Sequence, residues 1–285
     1  TVTGDYATSD GTATTTDSDY TPASGTITFI PGDTSENVSV NTTADSYFEE
    51  SETFSLTLSG GANYTTPGSV LLRTGTVTNN DSAPTISIDS VSATEGSAIG
   101  FTVTLSARSY QTVTVNYASS DSSATLADSD YTSTAGTLSF TSGQTTKSVS
   151  VPTTSDTHYE ANEALTVTLS GGNNYTVAGS TLSGTGTINN DDSAPTVSIA
   201  AATAAEGGSL SFAVSLSNRS YQTVTVNYAT ADGTATGADS DFTSASGTTT
   251  FTPGDQSENI SVSSTADTKY ENDETLAVNL SGGAN

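Results

Sequence analysis

No cysteine, methionine or tryptophan occurs in this chain, and there is a single histidine, His158. Without cysteine no disulfide braces the fold, and no thiolate is on hand to hold a metal or attack a substrate. Basic residues are scarce: 5 Lys and Arg stand against 31 Asp and Glu, for a net charge of −26. Such a surface repels nucleic acid and anionic membranes, which are recognised through Lys and Arg. Neither a nucleic-acid partner nor membrane insertion is expected. No apolar run approaches the roughly 20 residues of a membrane span, and no signal-peptide pattern opens the chain.

What is present is arranged by alternation. Only 32% of the residues are hydrophobic, but they fall at every second position in short runs, the mark of half-buried strands rather than disorder. The chain also repeats itself at an interval of 111 residues. Tyr6-Ala7, Tyr117-Ala118 and Tyr228-Ala229 coincide at that interval, as do Leu58-Ser59-Gly60-Gly61, Leu169-Ser170-Gly171-Gly172 and Leu280-Ser281-Gly282-Gly283. Asp-Ser-Ala-Pro-Thr punctuates the repeats at Asp81 and Asp192. This periodicity predicts a partial repeat over 1–83 that lacks its first two strands, a complete one over 84–194, and a partial one over 195–285 that lacks its last strand. Thr1 and Asn285 both fall in mid-repeat, so the chain reads as a window on a longer array.

In the middle repeat seven strands are predicted. They are Thr85–Ile88 (A), Ile99–Leu105 (B), Val113–Tyr117 (C), a strand marked by Leu138 and Phe140 (D), one marked by Val149 and Val151 (E), Leu165–Leu169 (F) and Thr185–Ile188 (G). Seven short alternating strands in one repeat predict an all-β, Ig-like antiparallel β-sandwich, with the repeats forming a linear tandem array. Consecutive strands run up and down in turn, so the A–B, C–D and E–F loops and the exit of G share one pole. Glu95, Asp128, Asp130, Asp156, Glu160, Glu163, Asp191 and Asp192 all fall there, and of this repeat's acids only Asp89 and Asp121 do not. Two carboxylates about 5 Å apart repel by about 0.8 kcal/mol even at the dielectric constant of water. A pole so loaded splays or takes up protons unless a cation neutralises it. An oxygen-only donor set suits Ca²⁺, which takes 6–8 oxygen ligands, and this pole has room for roughly two to four such ions.

The densest part of the pole is Asp156-Thr157-His158-Tyr159-Glu160-Ala161-Asn162-Glu163, with copies at Asp45–Glu52 and Asp267–Glu274. Its third position reads Tyr47, His158 and Lys269, which argues against a ligand there. Tyr131 and Tyr159 are read as plugs for the sandwich end. Paired carboxylates also serve glycoside hydrolysis, but no tryptophan platform or cleft-forming insertion accompanies them. No His–Asp pair recurs to activate a serine, so no catalytic residue is assigned.

The run VNYASSDSSATLADSDYTSTAGTLSFTSGQ (115–144), the acidic loop after it and the closing Gly184-Thr185-Gly186-Thr187-Ile188-Asn189-Asn190-Asp191-Asp192 resemble the Calx-beta domain. The third repeat shows the same likeness in Tyr228-Ala229-Thr230-Ala231-Asp232-Gly233 and Phe251-Thr252-Pro253-Gly254-Asp255. The resemblance implies calcium ligands from four places. A Glu in the first turn corresponds to Glu95 and Glu206, and an Asp before an aromatic to Asp19, Asp130 and Asp241. The acidic E–F loop corresponds to Asp45, Glu49 and Glu52, then Asp156, Glu160 and Glu163, then Asp267, Glu271 and Glu274. Acids at the domain end correspond to Asp81, Asp191 and Asp192. The expected function is a calcium-stiffened extender in a large secreted or cell-surface protein, an adhesin, fibre or matrix component. Its partners are neighbouring repeats of the same chain and, laterally, further copies. The alternatives are a calcium-sensing regulatory module and a non-catalytic module of a secreted enzyme.

Overall fold

The structure is a computed structural model and describes residues 1–65 and 69–284; residues 66–68, within the predicted 1–83 repeat, and Asn285, within the predicted 195–285 repeat, lie outside the described residues. The first repeat supplies β1 (Val2–Asp10), β2 (Ser24–Phe29), β3 (Glu52–Ala62) and β4 (Leu72–Val77). The middle repeat supplies β5 (Thr85–Ile88), β6 (Val91–Thr94), β7 (Ile99–Leu105), β8 (Val113–Asp121) and β9 (Ala135–Phe140). It continues with β10 (Thr146–Val151), β11 (Glu163–Asn173), β12 (Thr176–Thr181) and β13 (Ser183–Asn189). The third supplies β14 (Val197–Ile199), β15 (Ser209–Leu216), β16 (Val224–Asp232), β17 (Ser246–Phe251), β18 (Ser257–Ser263) and β19 (Leu276–Ala284). No helix long and apolar enough to cross a membrane occurs among the described residues.

The middle repeat is a two-layer sandwich. One sheet has the order β10-β7-β5-β12 and the other β6-β13-β11-β8-β9. Alternation puts Ile99, Phe101, Val103 and Leu105 of β7 on the inner face, opposite Leu165, Val167 and Leu169 of β11. Burying each such side chain contributes roughly 1.5–3 kcal/mol. All buried members of this core lie between Ile86 and Ile188, so the repeat closes its own hydrophobic layer.

The seven expected strands are all present, with two additions. The first strand continues after a break as β6, and a short β12 precedes the last strand. Both additions pair in parallel, β12 with β5 and β6 with β13, so the sandwich is antiparallel with a parallel pairing in each sheet. The break has a local cause. The Asp89 carboxylate accepts the Thr102 N–H at 2.7 Å, which ends the run along β7. Ser90 then accepts the Thr185 N–H at 2.9 Å, which starts the run along β13. The crossing backbone comes so near Gly184 that a Cβ there would lie 2.1 Å from the Asp89 carbonyl oxygen. Asp89 therefore holds the switch between sheets, which explains an acid away from the crowded pole.

Asp121 has a structural task as well. It accepts the Tyr131 hydroxyl at 2.6 Å and the Leu126 N–H at 3.2 Å, tying the C–D loop to the end of β8. The first repeat repeats the bond between Tyr20 and Asp10 at 2.7 Å, whereas the third carries Phe242 in the same place, also buried. Tyr131→Phe is therefore expected to keep the fold and cost about 1 kcal/mol, read as a small fall in the denaturant midpoint.

Candidate metal centre

The C–D loop is fixed before any ligand is considered. The Asp130 carboxylate accepts the Thr125 N–H at 2.6 Å, and the Thr125 hydroxyl binds Asp128 at 3.0 Å. Between the two acids Ser129 sits in the left-handed region at φ 70°, as Ser18 does at 71° and Ser240 at 67°. Few non-glycine residues adopt that conformation, and its return at one place in every copy marks a loop held for a purpose. The turn aims Asp130 inward and ties Asp128 to the threonine, so Asp128 stays at the rim.

Around Asp130 the other loops close a small cavity lined by Glu95, Thr154, Asp156, Glu160, Glu163 and Asn190. Oxygens of Asp130, Glu160 and Glu163 lie within 4.8 Å of one another, and so do those of Glu95, Asp156 and Asp192. Glu95 is only 8% exposed, and its carboxylate accepts the Asp156 N–H at 3.4 Å. One carboxylate oxygen of Asp192, Oδ2, is buried with no hydrogen-bond partner. Asp191 lies close enough to add to the negative field on Glu95.

The electrostatics show a site short of positive charge. Burial first, then the charges of Asp156, Asp130 and Glu95, pushes the Glu160 carboxyl up to about 7. Burial, the hydrogen bond with Asp130 and that residue's charge push Glu163 up to about 8. In the first repeat burial and Asp19 push Glu52 up to about 7, and burial with the charges of Asp45, Asp19 and Asp81 raises Glu49.

The copies differ in completeness. Asp19, Glu49 and Glu52 converge in the first repeat, and Asp241, Glu271 and Glu274 in the third. Asp45 caps the Tyr47 N–H at 2.8 Å. Glu206 is drawn to the acidic loop by accepting the Asp267 N–H at 2.7 Å. There Lys269 lies 3.5 Å from Asp267 and 3.9 Å from Glu271, so an ammonium already offsets part of the charge.

Two features were missed in the sequence. Asn190 and Thr154 bring neutral oxygens to the cavity, and the Glu160 N–H donates to Asn190 Oδ1 at 3.3 Å. Asn79, 111 residues earlier, holds Asp81 as Asn190 holds Asp192, so the repeat itself carried the signal. The second concerns Tyr159, expected as a plug for its own sandwich. Its backbone forms a parallel bridge with Ser220 of the third repeat. Its N–H donates to the Arg219 carbonyl and its carbonyl accepts the Tyr221 N–H, both at 3.0 Å. The pairing satisfies two peptide groups at once and leaves the residue half-buried. His158, beside it, packs edge to face on Tyr221 with ring centroids 4.8 Å apart. The ligand-bearing loop is thus also the contact with the next repeat. A His158 ring nitrogen also lies within 4.8 Å of oxygens of Asp156 and Glu160, and its Nδ1 is 3.2 Å from Asp156.

The donors are carboxylate and amide oxygens, with Thr154 beside them, and an unpaired buried oxygen of Asp192 is among them. That set fits a hard divalent cation and offers no sulfur to a soft one.

Fold and site together define a tandem array of β-sandwich modules, each with an acidic pole. The family model of the Calx-beta domain matches the chain at residues 1–87, 79–192 and 189–284. The chain belongs to the Calx-beta family. Among solved structures it is similar to CBD12 from CALX1.2, at 19% identity over 69% of this chain and 80% of that one, with a TM-score of 0.33. It is also similar to the apo-form Calx CBD1 domain, at 19% identity over 38% of this chain and 99% of that one, with a TM-score of 0.33. No curated protein matches. Family membership rests on the three model matches.

Proposed function

We propose that this chain is a calcium-binding extender, a segment of a large secreted or cell-surface protein in which Ca²⁺ sets the stiffness of the junctions between repeats. The observation that carries this reading is the double use of the Asp156–Glu163 loop. Asp156, Glu160 and Glu163 face the candidate cage, while the intervening Tyr159 is bridged to Ser220 of the following repeat.

A bound cation supplies the positive charge that the pole lacks. Glu95, Asp130, Asp156, Glu160, Glu163 and Asp192 would hold it, with Asn190 and Thr154 adding neutral oxygens. The protein's part is to bring four segments together and to fix one of them to its neighbour. With the charge offset, the loop stops being pushed outward and the bridge to Ser220 is held at one angle. Without it, repulsion works against the same bridge. Repetition of the arrangement at Phe48 and Ser109 extends the effect along the array. Lateral association of such rods through exposed sheet edges belongs to the same reading.

Calcium titration of the chain, followed by thermal melting and small-angle scattering, tests it. Calcium is expected to raise the melting temperature by at least about 10 °C, since a ligand bound only by the folded state adds RT ln(1 + [L]/Kd). It is also expected to lengthen and narrow the particle. Identical melting and scattering in calcium and chelator would sink the proposal.

A further inference from the structure

The third position of the acidic loop changes from copy to copy, and its side chain decides what lies between the flanking acids. One turn presents it each time. The first Asp accepts the N–H two residues on, at 2.8 Å for Asp45 and Tyr47 and at 2.7 Å both for Asp156 and His158 and for Asp267 and Lys269. In the third repeat this turn delivers an ammonium, with Lys269 Nζ 3.5 Å from Asp267 and 3.9 Å from Glu271. A positive centre thus already sits between the two acids there. In the middle repeat the same turn delivers an imidazole. A ring nitrogen of His158 and oxygens of Asp156 and Glu160 lie within 4.8 Å of one another. Nδ1 is buried and makes no hydrogen bond, yet it lies 3.2 Å from Asp156 Oδ1. A ring nitrogen cut off from water and left unpaired is costly unless something binds it.

We propose that Asp156, His158 and Glu160 form a second metal site, peculiar to the middle repeat, for a divalent transition metal such as Zn²⁺. The spacing fits. Zinc bonds of about 2.0–2.1 Å to nitrogen and oxygen set neighbouring donors of a tetrahedron about 3.3–3.4 Å apart. The 3.2 Å between Nδ1 and Asp156 Oδ1 is close to that separation. The imidazole distinguishes this site from the oxygen-only cage, because Ca²⁺ takes oxygen ligands whereas imidazole suits zinc. The ring is oriented before any ion arrives by its edge-to-face contact with Tyr221, at 4.8 Å between centroids. Asp156 is exposed and Glu160 half-buried, which leaves the ion a way in and a fourth position for water. His158 is the only histidine, so the site is single in this chain. Variation at this position argues against a ligand of the repeated cage and agrees with a site that belongs to one repeat. The proposal is carried by the imidazole and does not rest on the calcium reading.

A lone histidine makes the test direct, since its imidazole protons stand alone in the NMR spectrum of the full chain prepared without a histidine tag. Zinc chloride added in calcium-free buffer is expected to shift those signals until one equivalent is bound. By calorimetry, His158→Tyr is expected to weaken the tightest zinc site at least about tenfold and to leave calcium affinity, measured without zinc, within about twofold. Tyrosine is the residue of the first repeat, where Tyr47 keeps the edge-to-face contact with Tyr110 at 5.1 Å, so the variant retains the packing. Imidazole signals unmoved by zinc overturn the proposal on the wild-type chain alone. Zinc binding as tight in the variant as in wild type would place the ion on the carboxylates only and overturn it as well, with the calcium reading untouched. A parallel loss of calcium affinity would make His158 part of the common cage or of the fold, and would also refute a separate site. Zinc bound at His158 in a chain that ignores calcium upholds this site even where the calcium reading fails.

Discussion

The double variant Asp130→Asn, Glu160→Gln is expected to bind calcium at least about a hundredfold more weakly at the middle repeat, and to melt higher than the wild-type chain in chelator. The two effects have one origin. Asp130 and Glu160 share a cluster with Glu163, three carboxylates within 4.8 Å of one another. Each pair of charges at such spacing repels by about 0.8 kcal/mol at about 5 Å in water and by more where water is excluded. The amides remove that repulsion from the cation-free protein, which gains stability. They also remove two formal charges from the cage, and a hundredfold loss corresponds to about 2.8 kcal/mol. The fold survives because an amide in place of the Asp130 carboxylate retains an oxygen for the Thr125 N–H, the bond that shapes the C–D loop. Isothermal titration and melting in chelator measure the two halves separately. A variant that melts lower than wild type in chelator, with its calcium affinity intact, would make these acids structural and refute the cage.

Much of this was legible in the sequence, for a stated reason. Side-chain alternation exposes the face of a strand, and strand parity exposes the pole of a loop. Those two rules sufficed to bring Glu95, Asp130, Asp156, Glu160 and Glu163 together. They fail where backbone pairing decides. Ser35-Glu36-Asn37-Val38-Ser39-Val40 and Ser257-Glu258-Asn259-Ile260-Ser261-Val262 are nearly the same segment. The second forms most of β18, paired with β15. The first forms no continuous strand, and among the described residues no strand pairs with it. The crossover at Asp89 is hidden for the same reason: the predicted first strand stops at Ile88, and side-chain alternation does not show that the chain goes on from Val91 in the other sheet. The bridge from Tyr159 to Ser220 escaped as well, because a backbone contact leaves no side-chain period. Its trace was the recurrence of Arg-Ser-Tyr-Gln at Arg108 and Arg219, a motif that no rule of burial explains.

The second large effect is a reversal of pH dependence by calcium. In chelator, the chain is expected to lose stability as the pH rises from about 5 to about 8. Glu160 is raised from 4.5 to about 7 in the folded protein and Glu163 to about 8, by burial and by neighbouring carboxylates. Between those values the folded state holds protons that the unfolded chain has already released. Stability then falls with rising pH, because its slope follows protons bound unfolded minus protons bound folded. The stabilisation is fully present below about 4.5, the unfolded value, and is gone above about 8. Glu52, raised to about 7 beside Asp19, adds to the trend from the first repeat. Saturating calcium inverts it. A cation in the cage needs the same carboxylates ionised, so protons compete with it and its apparent affinity grows as they leave. Melting temperature is therefore expected to fall by a few degrees across this range in chelator and to climb across it in calcium. The two curves diverge most above about pH 8, where Glu163 has given up its proton and the cation-free cage carries its full charge. Parallel curves in the two buffers would show that whatever binds calcium is not the group of carboxylates raised by burial, and would separate the cage from the acidic pole on which it is built.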